Sequence, residues 1–351
     1  MGKAMVAMSG GVDSSVAALL ARREGYECAG ATMKLVRDVD EEAARVAALL
    51  GMPHHVLDFT AEFRANVIEP FVAAYENGAT PNPCVLCNTR IKFGTLLDQA
   101  ARMGFGKLVT GHYARIVPMP DGSCRLARAA DKDKDQSYFL YGLTQGQLAR
   151  TLFPLGELTK GEVRAAAAEA GFANADRRES QDICFVAEGG YADFIEGYRG
   201  RASMKGDFVD TDGRVLGRHS GIAHYTIGQR KGLGVALGYP AFVKEIRPET
   251  GEVVLAAAEE LFSSGIMIAG ANLSPGVFAG PGGGGCGDGV GGGLRVQVMI
   301  RYNAKPVWAT VRQGTDGLLA AEFDEPVRAP ARGQAAVMYD GDFVAGGGTI
   351  V

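Results

Sequence analysis

Nothing in this sequence of 351 residues approaches the ~20 consecutive apolar residues that a membrane span needs. The amino terminus also lacks the charged segment and apolar run of an export signal, because it enters a strand-like apolar pattern within a few residues. These absences point to a cytoplasmic chain with no membrane association. Charge of one sign is missing too. The formal net charge is only −4, and basic and acidic residues nearly balance from Arg201 onward, so no half of the chain is a basic arm. A nucleic-acid partner therefore has to be argued from local residues. Cysteine is scarce, six in all, and in a reducing compartment six thiols read as free thiols, catalytic groups or metal ligands rather than as a disulfide framework. Cys84 and Cys87 form a Cys-x-x-Cys, while Cys28, Cys124, Cys184 and Cys286 are isolated, so the second pair of a structural zinc site is lacking.

What is present organises itself around Ser9-Gly10-Gly11-Val12-Asp13-Ser14-Ser15. An apolar run from Ala4 to Met8 precedes it and reads as a buried strand; the segment to Arg23 reads as a helix closed by Gly25. Adjacent glycines let the backbone approach an anion closely, and the helix start beyond them offers unpaired N–H groups and a partial positive charge. No Gly-Lys-Ser/Thr follows and the third glycine of a dinucleotide fingerprint is absent, so neither of those phosphate loops applies. The seven residues resemble the loop of the ATP pyrophosphatases. That resemblance implies an ATP site over Ala7, Met8, Ser9, Gly10, Gly11, Val12, Asp13 and Ser14, with serine hydroxyls donating to phosphate and Asp13 helping to hold Mg²⁺, a cation that prefers oxygen ligands.

With 47% hydrophobic residues the chain can fill two or three globular cores. Strand patterns at Glu27 to Met33 and His54 to Phe59 alternate with helical ones at Asp40 to Leu50 and Ala61 to Tyr75, which predicts a doubly wound parallel α/β sheet. Ligands in such sheets bind beyond the carboxyl ends of the strands. Met33 then becomes a candidate adenine contact, with core packing as its alternative, and Gly111-His112, after a strand at Lys107 to Thr110, lies on the same rim. His54-His55 reads as structural. Thr80 to Asn88 holds two prolines that place Cys84 and Cys87 on a rigid loop, as a redox pair, half a metal site, or a nucleophile with a neighbour. Asp121-Gly122 turns a hairpin, and Thr159-x-x-Glu162 is a capping box that opens a helix. From about Gly206 short alternating runs and Asp-Gly turns predict β structure, ending in a small barrel. The expected domains are 1–204 (catalytic), 205–264 (small, β-rich) and 265–351 (a β-barrel with a glycine-rich insertion at 279–293).

Ser9 to Ser15, Thr80 to Asn88, Gly111 to Arg115, Lys134 to Leu140 and Asp182 to Phe185, in that order, with Arg301-Tyr302-Asn303 near the end, resemble the bacterial tRNA-specific 2-thiouridylases. The resemblance implies replacement of the 2-oxygen of the wobble uridine in lysine, glutamate and glutamine tRNAs by sulfur, in an ATP-dependent sulfurtransferase. It assigns Cys184 as the persulfide carrier and Cys87 as the second catalytic thiol, with a transient disulfide between them. It places Met33 and Gly111 at ATP; Asn82, Pro83 and Cys84 at the target base; and His112, Lys134, Asp135, Gln136, Arg301, Tyr302 and Gln334 at tRNA. Partners would be tRNA and a persulfide donor protein or cysteine desulfurase relay; nothing requires more than a monomer. One departure stands out. Many family members carry aspartate where this chain has Cys84, and three cysteines can hold a [4Fe-4S] cluster with one open iron, so a cluster-dependent transfer through Cys84, Cys87 and Cys184 is the alternative. An AMP-forming ligase or amidotransferase and a noncatalytic tRNA-binding protein are remoter ones.

Overall fold

The computed structural model describes residues 2–36, 39, 41–175, 183–186, 190–278, 293–314 and 316–351. Residues 279–292 of the glycine-rich insertion, Cys286 among them, and Asp182 of the Asp182 to Phe185 motif lie outside them. The chain divides into two compact units: one from Met1–Ile68, Cys84–Gln181 and Gly341–Val344, the other from Glu69–Pro83, Asp182–Asp340 and Ala345–Val351.

In the first unit, β1 (Lys3–Ala7), β2 (Glu27–Lys34), β3 (His54–Asp58), β4 (Lys107–Val109) and β7 (Thr151–Leu152) form a five-stranded sheet in the order β3-β2-β1-β4-β7. All four pairings are parallel. The strands are short, and β1 is buried at Ala4, Met5 and Val6, as expected where helices cover both faces. Helices α1 (Val12–Arg23) and α2 (Glu42–Leu49) share a core with β1: Val16, Ala17, Ala21, Val46 and Ala47 pack with Ala4 and Val6. The chain winds to one side of β1 through β2 and β3 and to the other through β4 and β7, which makes the gap beyond the carboxyl ends of β1 and β4 the switch point where doubly wound sheets bind ligands. A hairpin, β5 (Arg115–Pro118) and β6 (Cys124–Ala127), turns at Gly122.

The Cys-x-x-Cys segment corrects the sequence reading. Pro83–Leu86 is helical, Cys87–Leu96 continues as a π-helix, and α3 (Leu97–Arg102) completes the run. Pro83 starts this helix instead of breaking it, because at the first helical position a proline gives up an N–H that has no intrahelical acceptor. Cys84 and Cys87 therefore sit in its opening turns and not on a loop. A 3₁₀ turn at Ser137–Phe139 and helix α4 (Lys160–Glu169) follow. The predicted capping box is present: Thr159 Oγ1 accepts from the Glu162 N–H at 3.3 Å, and Glu162 accepts from the Thr159 N–H at 2.7 Å.

In the second unit, β8 (Gly206–Val209), β9 (Val215–His219), β10 (Phe242–Arg247) and β11 (Glu252–Ala256) make a four-stranded sheet in the order β10-β11-β8-β9 around Phe208, Val243, Val253 and Leu255. β12 (Phe262–Leu273), β13 (Leu294–Met299), β14 (Val307–Gln313), β15 (Leu319–Arg328), β16 (Ala335–Asp340) and β17 (Phe343–Ile350) follow in the order β12-β15-β14-β13-β16-β17, and pairing of β12 with β17 closes the barrel. Closure pairs the first and last strands of these six with each other. Val296, Val298, Val311, Phe323 and Met338 fill its interior.

Candidate active site

The phosphate loop leaves the switch point at Ala7. Met8 is a core residue: its N–H donates to the Ala31 carbonyl at 2.8 Å, and its carbonyl accepts from Thr32 Oγ1 at 2.9 Å. Gly10 takes φ +79°, a conformation that costs a side-chain-bearing residue energy. Gly11 is the N-cap of α1 with extended backbone and no side-chain cap. The first N–H groups of a helix have no intrahelical acceptor, so Val12, Asp13 and Ser14 present theirs at the end of β1.

Ser9 is exposed, whereas the hydroxyls of the buried Ser14 and Ser15 engage the loop's own backbone. Ser14 Oγ donates to the Gly11 carbonyl at 2.9 Å and accepts from the Ser9 N–H at 3.2 Å, while Ser15 Oγ donates to the same carbonyl at 3.1 Å. Their protons shape the turn and leave the backbone amides to face a ligand. Asn174, only 4% exposed, braces the loop from behind: Nδ2 donates to the Gly10 carbonyl at 2.9 Å and to Ser15 Oγ at 3.0 Å.

Asp13 stands in the first turn of α1, and both of its oxygens are engaged. Lys160 Nζ lies 2.8 Å from Oδ1 and 3.0 Å from Oδ2, and the Tyr113 hydroxyl donates to Oδ1 at 2.9 Å. The lysine and aspartate side chains are 12% and 27% exposed. Tyr113, 2% exposed, is fixed in turn by Gln136, whose Oε1 accepts the Tyr113 N–H at 3.0 Å. Among the described residues no group of three or more His, Cys, Asp or Glu side chains could hold a metal ion, so the iron–sulfur alternative has no support. A magnesium ion is commonly held by one or two carboxylates plus substrate phosphates. Asp13 fits that pattern as one ligand that a nucleotide would have to complete.

Gly111 follows β4 and lies against the loop: a Cβ there would come within 2.7 Å of Asp13 C and Ser14 N. Met33, half-buried at the end of β2, sits on the same rim. His112 is 8% exposed and packs against Phe93 and Phe153. Thr110 Oγ1 lies 2.7 Å from its Nδ1, and Lys92 Nζ 3.4 Å from its Nε2. Burial first, and the Lys92 ammonium second, push its pKa well below the usual histidine value. A neutral ring that accepts from Lys92 at Nε2 and donates from Nδ1 satisfies both contacts. His112 thus ties the π-helix behind Cys87 to the sheet. Asn88 ties it again, donating to the Phe139 carbonyl at 3.1 Å.

Of the residues expected at tRNA, Asp135 is 7% exposed and accepts from the Ala129 and Ser137 N–H groups, each at 3.1 Å, and from Ser137 Oγ at 2.9 Å. It shapes its own turn. Lys134 is half-buried beside it. In the second unit, Arg301 donates to the Arg328 carbonyl, Tyr302 is half-buried, and Gln334 Nε2 donates to the Thr80 carbonyl at 2.9 Å. The Thr80 N–H donates to the Arg332 carbonyl at 2.7 Å. Gln334 therefore fastens the strip that leads into Asn82 and Pro83, of which Asn82 is half-buried and Pro83 buried.

Cys84 is exposed, Cys87 partly exposed and Cys184 exposed, whereas Cys28 is buried and its thiol pKa is raised by that burial. Cys184 occupies the tip of a turn closed by the Val186 N–H donating to the Ile183 carbonyl at 3.0 Å. Its neighbour Phe185 is 4% exposed and lies 5.2 Å, ring to ring, from both Phe71 and Phe194. An aromatic anchor thus presents a sulfur at the surface.

Lys160, Tyr113 and Asn174 escaped the sequence reading. Thr159 was recognised as a cap, but nothing in a Thr-Lys-Gly-Glu string says that the lysine turns inward. One signal was available: a cation at the first position of a helix opposes the helix dipole.

A parallel sheet whose switch point carries an uncapped helix start after Ser-Gly-Gly-Val-Asp-Ser-Ser defines a nucleotide-binding α/β domain of the ATP-pyrophosphatase type. Family models match three successive segments: the tRNA methyl transferase HUP domain at residues 2–188, the tRNA methyl transferase PRC-barrel domain at 192–257 and the aminomethyltransferase beta-barrel domain at 288–350. The chain belongs to the tRNA-specific 2-thiouridylase family. It is 46% identical to the tRNA-specific 2-thiouridylase MnmA of Lachnoclostridium phytofermentans over 368 aligned positions, covering 100% of both chains. It is likewise 46% identical to that of Carboxydothermus hydrogenoformans, covering 99% of this chain and 97% of the other. A 4-thiouridine synthetase solved with RNA and ATP overlaps loosely, at 17% identity over 52% of this chain and 45% of that one, with a TM-score of 0.32.

Proposed function

We propose that this chain is an ATP-dependent tRNA-uridine 2-sulfurtransferase acting on the wobble uridine of lysine, glutamate and glutamine tRNAs. The observation that carries the reading is the full-length relationship to curated 2-thiouridylases, in a chain whose β1–α1 junction is built for phosphate. The family-model descriptions speak of methyl transfer. A helix start beside a lysine ammonium suits an anionic triphosphate and offers nothing to the sulfonium of a methyl donor.

The uracil C2 oxygen is a poor leaving group. Attack of that oxygen on the α-phosphorus of ATP releases pyrophosphate and turns the oxygen into part of an AMP leaving group. The amides of Val12 to Ser14 would hold the phosphates, Gly111 would admit the nucleotide close to the loop, and Met33 would contact adenine. Mg²⁺, with Asp13 as one ligand, would offset phosphate charge. The terminal sulfur of a Cys184 persulfide then attacks C2, and AMP departs. Cys87 thiolate attacks Cys184 Sγ, the bond from Sγ to the transferred sulfur breaks, and 2-thiouridine is left with a Cys87–Cys184 disulfide. An external reductant must restore the thiols. Asn82, Pro83 and Cys84 would receive the base after it leaves the anticodon stack. Lys134, Arg301 and Tyr302 would contact the tRNA directly; His112, Asp135, Gln136 and Gln334 support the surfaces that do.

The persulfide would come from a donor protein or desulfurase relay. No helix among the described residues is long and apolar enough to cross a membrane, and a cytoplasmic monomer with working domains 1–204, 205–264 and 265–351 suffices for the chemistry. The test is thiolation of unmodified glutamate tRNA with ATP, Mg²⁺ and a persulfide donor. Wild type should form 2-thiouridine, while Cys184→Ser and Cys87→Ser should lose it and still release pyrophosphate in the presence of tRNA. Full thiolation by Cys184→Ser would overturn the persulfide assignment.

A further inference from the structure

The turn that carries Cys184 belongs to no helix or strand, so no ladder of backbone hydrogen bonds fixes it. Its side chains divide sharply. Cys184 is exposed, Ile183 and Val186 are half-buried, and Phe185 is 4% exposed. A buried ring next to an exposed sulfur is the turn's hold on the second unit.

The slot that takes the ring is built by two helices. Phe71 of Glu69–Glu76 lies 5.2 Å from it at an interplanar angle of 89°, and Phe194 of Tyr191–Arg199 lies 5.2 Å from it at 57°. Phe71 and Phe194 are themselves 6.2 Å apart. The three rings thus close a triangle of tilted and edge-to-face contacts, the arrangement that aromatic quadrupoles favour. Polar contacts lock the two helices together. Arg199 Nε and Nη2 donate to the two Glu76 oxygens at 3.1 and 2.9 Å, its Nη1 donates to Glu69 at 3.1 Å, and the Tyr198 hydroxyl donates to Glu69 at 2.6 Å. A planar guanidinium held by both oxygens of a carboxylate fixes distance and orientation together. The walls of the slot are therefore fixed relative to each other.

Glu69–Glu76 also leads within a few residues to Thr80, whose carbonyl Gln334 holds, and on to Asn82 and Pro83. One helix thus supports both the strip that resemblance assigns to the target base and the ring beside Cys184. Consecutive Cα atoms are about 3.8 Å apart, so a seated Phe185 confines the backbone of Cys184 and leaves its sulfur in solvent.

We propose that Phe185 is a positioning residue for sulfur transfer: seated between Phe71 and Phe194, it sets the place from which the terminal sulfur of the Cys184 persulfide attacks C2. The inference rests on the persulfide reading given above. Its physical basis is that bond formation needs reacting atoms about 3–3.5 Å apart and aligned, and a displacement of about 1 Å can cost roughly 100-fold in rate. A turn without the ring keeps its thiol chemistry and loses the fixed geometry.

The experiment measures three steps in wild type, Phe185→Ala and Phe185→Leu. They are persulfide loading of Cys184 from cysteine persulfide, tRNA-dependent release of pyrophosphate from ATP, and single-turnover formation of 2-thiouridine on unmodified glutamate tRNA by preloaded enzyme. Phe185→Ala should load sulfur and release pyrophosphate as wild type does, and form 2-thiouridine about 100-fold more slowly. Phe185→Leu, which partly fills the slot, should lose only about 10-fold, and it carries the test if thermal melts show the alanine variant unfolded. Thiolation by the folded variants at the wild-type rate overturns the proposal. A parallel loss of thiolation and pyrophosphate release also overturns it, by making Phe185 merely structural, and so does a loss of loading that accounts for the whole defect. Wild type that loads sulfur and releases pyrophosphate but forms no 2-thiouridine would instead overturn the persulfide reading beneath it.

Discussion

Gln136 accepts the backbone N–H of Tyr113 at 3.0 Å, and the hydroxyl of Tyr113 donates to Asp13 at 2.9 Å. A residue that family resemblance sets at the tRNA is thus one side chain away from the phosphate loop. The link continues the other way, since Phe139, three residues on, holds Asn88 beside Cys87. The loop around Gln136 therefore bridges the nucleotide end of the first unit and its cysteine helix. Tyr113→Phe removes the hydroxyl that donates to the Asp13 carboxylate and keeps the ring. It should destabilise the protein by about 1–2 kcal/mol in urea titrations and weaken ATP binding several-fold. An unchanged midpoint and affinity would show that the Lys160 contact alone fixes Asp13.

Gly111 shows where the two rims touch. A Cβ at that position meets backbone atoms of Asp13 and Ser14 at 2.7 Å, and backbone cannot swing aside as the end of a side chain can. Gly111→Ala should cost about 1–3 kcal/mol of stability, the range for overpacking a tight interior, and should abolish ATP binding by displacing the loop. Gly146→Ala is the control, because a Cβ there meets nothing within 4 Å in the helix Gln145–Ala149. It should be neutral or slightly stabilising. Equal behaviour of the two variants in thermal melts and ATP titrations would remove the steric argument.

The pH dependence of stability follows from His112. Its folded pKa lies below the usual value of 6.5 because it is buried and faces Lys92. Below about pH 6.5 the unfolded chain takes up a proton that the folded one refuses, so stability is complete above that pH and falls as pH drops through it. His54 and His219 are shifted the same way, chiefly by burial. Urea midpoints should therefore fall between pH 7.5 and 5.5, and His112→Asn should flatten part of that fall. A slope untouched by the substitution would mean that His112 titrates normally.

The parallel sheet, the phosphate loop, the capping box at Thr159 and the closing barrel were legible because each follows from local pattern: apolar runs, glycines and caps act over a few residues. The cysteine helix was not. Two prolines in Thr80 to Asn88 suggested a loop, yet Pro83 occupies the one helical position that tolerates proline. Lys160, Tyr113 and Asn174 were illegible for another reason. They reach the loop from 147, 100 and 164 positions away in the chain, and their partners are decided by how α4 and the segments after β4 pack on α1. Asp135, Gln136 and Gln334, which resemblance sets at tRNA, also make hydrogen bonds within the protein that no local pattern announces.

Cys84 stands where the family resemblance leads one to expect aspartate, and its placement says what that residue should do. It is exposed, in the first turn of the helix that Pro83 opens. A carboxylate there faces no burial cost and interacts favourably with the helix start, so Cys84→Asp should fold at least as stably as wild type. If proton transfer near C2 limits the rate, the carboxylate should also raise thiolation of glutamate tRNA. Cys84→Ser should leave thiolation close to wild type, in contrast to Cys87→Ser. Single-turnover thiolation of the three variants checks this. Loss of activity in Cys84→Ser as complete as in Cys87→Ser would make Cys84 a third catalytic thiol, and the two-cysteine mechanism would have to be redrawn to include it.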